Sequence, residues 1–477
     1  MKIAYAASEA APYIKTGGLG DVAGALPLAL SKLPGTEVLL FLPYYRQIKE
    51  DPSVKTERLA EFEMDLAWRK QYVGLHRVKS RKKKLKVYLI DNEYYFDRGT
   101  IYGCEDDGER FAFYSKAVLA CLAALGEKPD IIHCNDWQTA LIPVLLHAFY
   151  HEELGNAKTV FTIHNIEYQG WTHPYFLGEV LGLPDEYDNV LHFHDGLNFM
   201  KGAILSCDAL TTVSRTYAKE LCEPYFAHGL DAIIREHAFK LSGIVNGIDL
   251  ATNDPKTDSN LACNYDVKTY KEGKAACKAA LQEELGLEVR PDVPLIGMVS
   301  RLVGHKGLDI LCQAIGELMN LDVQLAILGT GDKTYERRLA ESAQAYPGRF
   351  SLSLKFYPPL SSRIYAGSDI YVMPSKSEPC GLSQLIAMRY GTVPVVHETG
   401  GLKDTVVPYD FSTGEGLGFS FGKFSAEDLM HVMRYALKIR SEEPKTWDSI
   451  VTNAMTRDVS WAVPAGEYMA LYKNLTK

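Results

Sequence analysis

The stretch Pro294-Leu295-Ile296-Gly297-Met298-Val299-Ser300-Arg301-Leu302-Val303-Gly304-His305-Lys306-Gly307-Leu308 decides the fold. It opens on an almost unbroken apolar run, the pattern of a strand buried on both faces. Two cations, Arg301 and Lys306, and two glycines, Gly304 and Gly307, follow, and Leu308 then opens a helix-like segment. A strand that passes through such a turn into a helix is the first half of a βαβ unit, and βαβ units build parallel sheets.

The same rhythm runs outward in both directions. Strand candidates in the first half are 2–7, 37–42, 87–91, 131–134, 159–163, 209–213 and 241–245. The second half offers 294–300, 323–328, 352–356, 370–373, 393–396 and 418–421. Helix-like stretches separate most of them. A polar segment, about 249–266, breaks the rhythm with turn chemistry at Asn253-Asp254-Pro255, and is expected to be a linker or an excursion between two sheets. The domain boundary therefore falls near Val245–Asp249. At the end of the chain Ser460 is expected to cap a helix with Pro464 in its first turn. Trp461, Ala465, Tyr468, Tyr472 and Leu475 give that helix an apolar face that must pack on something.

At 477 residues the chain has room for about three ordinary domains or two large ones, and needs no disulfide or metal staple. With 47% hydrophobic and 23% charged residues, long disorder, collagen and coiled coil are excluded as the dominant state. The net charge of −9 disfavours nucleic acid and anionic lipid as partners. A local basic cluster, Arg77, Lys79, Arg81, Lys82, Lys83, Lys84 and Lys86, reads as a solvated hairpin turn between two alternating segments. The nine cysteines are odd in number and hold no CxxC pair, so reduced thiols in a cytoplasm are expected. The apolar run 3–7, ended by Glu9, is too short for a signal sequence, and no stretch approaches the ~18 residues of a membrane span.

Candidate chemistry gathers at strand ends, where open α/β sheets bind ligands. Lys15-Thr16-Gly17-Gly18-Leu19-Gly20-Asp21 follows the first strand and precedes a helix expected near Asp21. Its glycines permit close backbone approach, and helix N-terminal N–H groups attract phosphate. It is not a dinucleotide fingerprint: the glycines come late, and the second strand ends in Leu42-Pro43 without an acidic residue. No P-loop and no Asp-x-Asp metal clamp occur, so a bound diphosphate would have to be neutralised by Lys, Arg and N–H groups. Arg301 and Lys306 supply such cations. Gly329-Thr330-Gly331-Asp332 makes a second glycine turn. Glu378 could accept from sugar hydroxyls, and Gly381, Leu382 and Ser383 open the next helix. Cys380 has no base beside it and fits packing or ligand lining. Asp136 could orient an acceptor hydroxyl or cap a helix, and Trp137 could stack on a sugar or pack in the core. His147 with His151, and His192 with His194, lack the rest of a metal site.

Taken together, Lys15-Thr16-Gly17-Gly18-Leu19, Asn135-Asp136-Trp137, His164-Asn165, Val245-Asn246-Gly247-Ile248-Asp249, Ser300-Arg301-Leu302, Lys306-Gly307, 328–332 and Glu378-Pro379-Cys380-Gly381-Leu382 resemble bacterial glycogen synthases and plant starch synthases. The resemblance implies a GT-B fold: two Rossmann-like domains, 1–246 and 247–459, facing each other across a cleft. A C-terminal helix, 460–477, returns to the first. It implies a cytoplasmic, metal-independent and cofactor-free hexosyltransferase. Glucose would pass from ADP-glucose to the non-reducing end of an α-1,4-glucan with retention. Lys15, His164, Arg301, Lys306 and Glu378 are the implied catalytic residues. Gly18, Asn246, Gly329, Tyr357, Cys380, Gly381, Leu382 and Ser383 join Lys15 and the later charges on the donor side. Asp136, Trp137 and Asn165 lie toward the acceptor. Gln138, Ser383, Phe96 and Arg215 depart from the family pattern. The alternatives are another GT-B transferase using UDP-glucose or a small acceptor, an epimerase on the same architecture, and a non-catalytic glucan-binding relative. Closure of the two domains, with hinges near Val245–Asp249 and before Trp461, is expected to complete the site.

Overall fold

The computed structural model describes residues 1–80 and 83–477, in two compact units. Unit 1 comprises Met1–Asn246 with Trp461–Lys477, and unit 2 comprises Gly247–Ser460.

The nine-stranded sheet of unit 1 contains β1 (Lys2–Ala6), β2 (Glu37–Pro43), β3 (Thr56–Leu66), β4 (Arg69–Val78), β5 (Leu85–Asp91), β6 (Ile131–Asn135), β7 (Lys158–Ile163), β11 (Ala209–Thr212) and β12 (Leu241–Gly243). Between β7 and β11 a separate three-stranded sheet is built from β8 (Trp171–Thr172), β9 (His192–Phe193) and β10 (Gly196–Asn198). The main order is β12-β11-β7-β6-β1-β2-β5-β4-β3. β1 is parallel to both neighbours, β2 and β6. Its Ile3–Ala6 segment is fully buried, as its continuous apolar sequence requires.

Unit 2 holds β13 (Leu295–Val299), β14 (Gln324–Leu328), β15 (Phe350–Ser353), β16 (Ile370–Met373), β17 (Val393–His397) and β18 (Phe419–Phe421). All pair in parallel, in the order β15-β14-β13-β16-β17-β18. The helix Leu308–Leu318 covers this sheet with Leu308, Leu311, Ala314, Ile315 and Leu318, a three-to-four spacing that presents one apolar face.

Several sequence expectations shift. The first helix spans Gly18–Ser31, so it begins at Gly18 and not near Asp21. β3 was not expected; its Glu57, Glu61, Glu63 and Asp65 mask the alternation, and such charges suit the sheet edge it occupies. β15 ends at Ser353, leaving Phe356 outside and 80% exposed. Of the two readings of the polar 249–266 segment, the excursion holds and the linker does not: Tyr265 lies in the core of unit 2, and Tyr390 donates to Asp258 at 2.7 Å. β4 and β5 are antiparallel, as a hairpin demands. Of the basic cluster there, Arg77 pairs with Glu57 and Lys86 with Glu37, while Arg81 and Lys82 lie outside the described residues.

The last helix, Ala462–Leu475, has Trp461 rather than Ser460 at its N-cap position, and Pro464 sits in its first turn. It buries Ala465, Tyr468, Met469 and Tyr472 within unit 1, with Leu475 only half-buried. Its anchor is polar: His133 of β6 contacts the Tyr472 hydroxyl through Nδ1 at 2.7 Å and Thr162 Oγ1 through Nε2 at 2.6 Å. Burial pushes His133 down to about 3, so the ring is neutral. Truncating Tyr472 to Ala should remove about 3–5 kcal/mol of unit 1 stability, the scale of an aromatic core deletion. Denaturant unfolding with a midpoint unchanged from the parent would refute that anchoring role.

Candidate functional site

In unit 2 the strand order reverses between β13 and β16, so the loops after these two strands flank the crevice where such sheets take ligands. The first loop carries Arg301 and Lys306; the second carries Glu378. Backbone bonds tie the loops together: Lys376 N–H donates to His305 O at 2.9 Å. Leu302 N–H donates to Thr330 O at 2.9 Å, fastening the β14 turn of Gly329–Asp332 alongside. Gly307 caps the helix at φ 73°, where a Cβ would stand 1.8 Å from Pro374 O, so only glycine fits.

Lys306 Nζ donates to Glu378 Oε2 at 2.6 Å, with little of either side chain exposed. Ser375 Oγ donates to the same oxygen at 3.1 Å, and His397 Nδ1 holds Ser375 O at 2.8 Å. Removing one partner of so sheltered a pair strands the other charge, at a cost of about 3–5 kcal/mol. Arg301 is exposed, and among the described residues its guanidinium has no hydrogen-bond partner. Cys380 is buried, and Gly381 follows it at φ 72°. Leu382 stands at the N-cap of the helix Ser383–Arg389. Tyr357 is exposed, with Lys355 Nζ 4.9 Å from its ring centroid.

In unit 1 the reversal lies between β1 and β6. The loop after β1 holds Lys15, whose Nζ pairs with Asp21 at 2.7 Å in an exposed contact of small energetic weight. Gly18 is the first helical residue, and a Cβ on it would meet nothing within 4 Å. Glu9 anchors this loop from below: buried, it accepts from the Thr16 N–H and hydroxyl. Desolvation raises its carboxyl above the ordinary range, with the Thr16 and Gly17 bonds opposing. In the sequence Glu9 stands out only as the end of an apolar run; the signal for its role is a carboxylate placed directly after a buried strand.

The loop after β6 turns sharply at Asp136, which has φ 56°, a costly conformation outside glycine. Its carboxylate does not cap the turn that follows. It accepts instead from the N–H groups of His164, at 2.7 Å, and Asn165, at 3.2 Å. Burial pushes Asp136 up to about 7, those two bonds opposing. His164 Nε2 donates to Asn135 Oδ1 at 2.9 Å, and that oxygen also accepts from Tyr5 at 3.0 Å. Burial holds His164 near 3, hence neutral. Trp137 packs edge-on against Phe111, with Gly170 against its ring. Asn246 is buried with its side-chain oxygen unpartnered. The structure thus joins Lys306 to Glu378, and Asp136 to His164 and Asn165. Among the described residues the group whose ligand atoms could surround a metal is Cys104, Asp106 and Asp107. Asp106 and Asp107 are committed to Arg98 and Arg110.

A family model described as the starch synthase catalytic domain matches residues 2–236, and one described as glycosyl transferases group 1 matches residues 285–453. The chain is 47% identical over 484 residues to a glycogen synthase of Caldicellulosiruptor saccharolyticus, covering all of both sequences. A glycogen synthase of Clostridium acetobutylicum is 46% identical, again over the full length of both. The chain belongs to the glycogen and starch synthase family.

Members are hexosyltransferases, and the two doubly wound units are the halves of the GT-B fold. A solved structure, the catalytic domain of starch synthase IV from Arabidopsis thaliana bound to ADP and acarbose, matches with a TM-score of 0.92 at 34% identity. The match covers all of this chain and 99% of that one. A sucrose-phosphate synthase from Thermosynechococcus elongatus shares the fold, with a TM-score of 0.62 at 18% identity. No helix of the described residues is long and apolar enough to cross a membrane.

Ionisation of Asp136 is expected to make kcat/KM climb with pH through about 7. In Asp136→Asn that inflection should vanish. A pH–rate profile of the variant that keeps the inflection would reassign it to another group.

Proposed function

We propose that this glycogen/starch synthase uses ADP-glucose and extends an α-1,4-glucan at its non-reducing end, with retention and without a metal, in the cytoplasm. Support for the donor comes from the relative solved with ADP, and support for the acceptor from the glycogen synthases that match over full length. The observation that carries the reading is the Lys306–Glu378 pair at the sheet reversal of unit 2.

As the anomeric bond breaks, the leaving diphosphate gains charge. Preorganised cations stabilise that charge most in the transition state, which is where stabilisation accelerates the step. Arg301 and Lys306 take this role in our reading, and Lys15 of unit 1 adds a third cation. Glu378, with the backbone of Cys380, Gly381, Leu382 and Ser383, holds the glucose; Gly18, Asn246, Gly329 and Tyr357 complete the donor contacts. Asp136, Trp137 and Asn165 receive the acceptor, with His164 beside the reacting sugar.

Retention through a covalent intermediate needs a carboxylate free to attack. One oxygen of Glu378 already carries the Lys306 ammonium and the Ser375 hydroxyl, which weakens it as a nucleophile. We therefore favour a same-face reaction in which the departing phosphate takes the acceptor's proton. A glycosyl adduct on Glu378, detected by mass spectrometry, would overturn that preference.

Arg301→Ala should lower turnover on the order of 10²–10³, the scale of one lost charge donor. Glycogen elongation should run faster with labelled ADP-glucose than with UDP-glucose. A folded Arg301→Ala enzyme with full activity would refute the diphosphate assignment, and preference for UDP-glucose would refute the donor.

A further inference from the structure

The sequence carries Thr-Gly-Gly-Leu twice, at Thr16–Leu19 and Thr399–Leu402. Both copies stand at the start of a helix, Gly18–Ser31 and Gly400–Thr405. Their surroundings are opposite. A Cβ on Gly17 or Gly18 would meet nothing within 4 Å, so those glycines face open space. A Cβ on Gly400 would stand 2.0 Å from Glu378 O, and one on Gly401 would stand 2.2 Å from Cys380 O and 2.4 Å from Cys380 Cα. Both neighbours are backbone, and neither can swing aside as a side chain could.

The close approach is bonded as well as tight. Gly401 N–H donates to Glu378 O and to Pro379 O, each at 3.1 Å. Gln384, fully buried on the following helix, donates through Nε2 to Cys380 O at 3.1 Å, Gly381 O at 3.0 Å and Thr405 Oγ1 at 3.0 Å. Thr405 Oγ1 donates in turn to Gly401 O at 2.6 Å. The Glu378–Gly381 backbone is thus gripped between two helices, while the Glu378 carboxylate is fixed by Lys306 and Ser375.

We propose that Gly400 and Gly401, with Gln384 and Thr405, are positioning residues that set the Glu378 carboxylate, and that the second Thr-Gly-Gly-Leu element acts through Glu378. The inference rests on the reading of Glu378 as the residue that holds the donor sugar. A methyl group at 401 must push the Cys380 carbonyl by more than an ångström to reach ordinary contact, and a misplacement of about 1 Å in a catalytic group can cost on the order of 10²-fold.

The test is a double-mutant cycle on the full chain with Gly401→Ala, Glu378→Gln and both together, measuring glycogen elongation with ADP-glucose. Melting temperature serves as the control for folding. Gly401→Ala should lower kcat on the order of 10²-fold, and in the Glu378→Gln background it should cost on the order of tenfold less than in the parent, the remainder passing through the displaced Cys380 backbone. If Gly401→Ala fails to fold, Gln384→Met takes its place in the same cycle, with a loss of about tenfold expected in the parent and a clearly smaller one in the Glu378→Gln background. Losses that multiply in the double variant would overturn the positioning role while leaving the reading of Glu378 intact, as would a parent-like Gly401→Ala. A fully active Glu378→Gln enzyme would instead remove the reading itself, and the inference with it.

Discussion

In each sheet the strand order reverses beside the first strand, and every candidate charge is placed by that reversal. In unit 1 the chain lays β2 on one flank of β1 and then places β6 on the other. In unit 2 it lays β14 and β15 outward from β13, then places β16 on the opposite flank. At such a reversal the two adjacent loops diverge, one toward each side of the sheet, and leave backbone groups and side chains facing a crevice. The loops at these reversals carry Glu9 with Lys15, Asp136, Arg301 with Lys306, and Glu378. The four segments are far apart in sequence, and parallel pairing of buried apolar strands gathers them in twos.

What the reversal opens, a second tier of contacts makes rigid. The unit 2 loops are laced to each other at His305–Lys376 and Leu302–Thr330, and are pressed from behind by Gly400 and Gly401. In unit 1 Glu9 holds the Lys15 loop, and the Asp136 carboxylate holds the start of the His164 loop across the end of β7. Such support matters because a charge that must wait for a ligand is useful only where it need not reorganise to meet it. Lys306 and Glu378 satisfy each other meanwhile, so neither stands as a bare buried charge.

Much of this was legible in the residues. The apolar runs located β1, β2, β5, β6, β7 and the six strands of unit 2 because parallel strands buried on both faces leave little freedom of composition. The cations after β13 and the Glu378 segment could be found from strand ends alone. What escaped had no local signature. β3 mixes charge with alternation because one edge of the sheet meets water. Glu9 looked like a terminator, since its partners Thr16 and Gly17 become neighbours only when the loop folds back. Asp136 could be read as an acceptor-orienting carboxylate or as a helix cap; the cap alternative fails because the N–H groups that donate to it lie 28 residues onward at His164, and at Asn165. The N-cap at Trp461 rather than Ser460 is a matter of one residue that packing decides and propensity does not.

In the proposed reaction the donor diphosphate sits at the reversal of unit 2, on Arg301 and Lys306. A crystal structure of the protein soaked with ADP would locate that diphosphate. Phosphate oxygens are expected within hydrogen-bond distance of the Arg301 guanidinium and the Lys306 ammonium, at the carboxyl end of β13. ADP bound with its diphosphate away from both cations would contradict that placement.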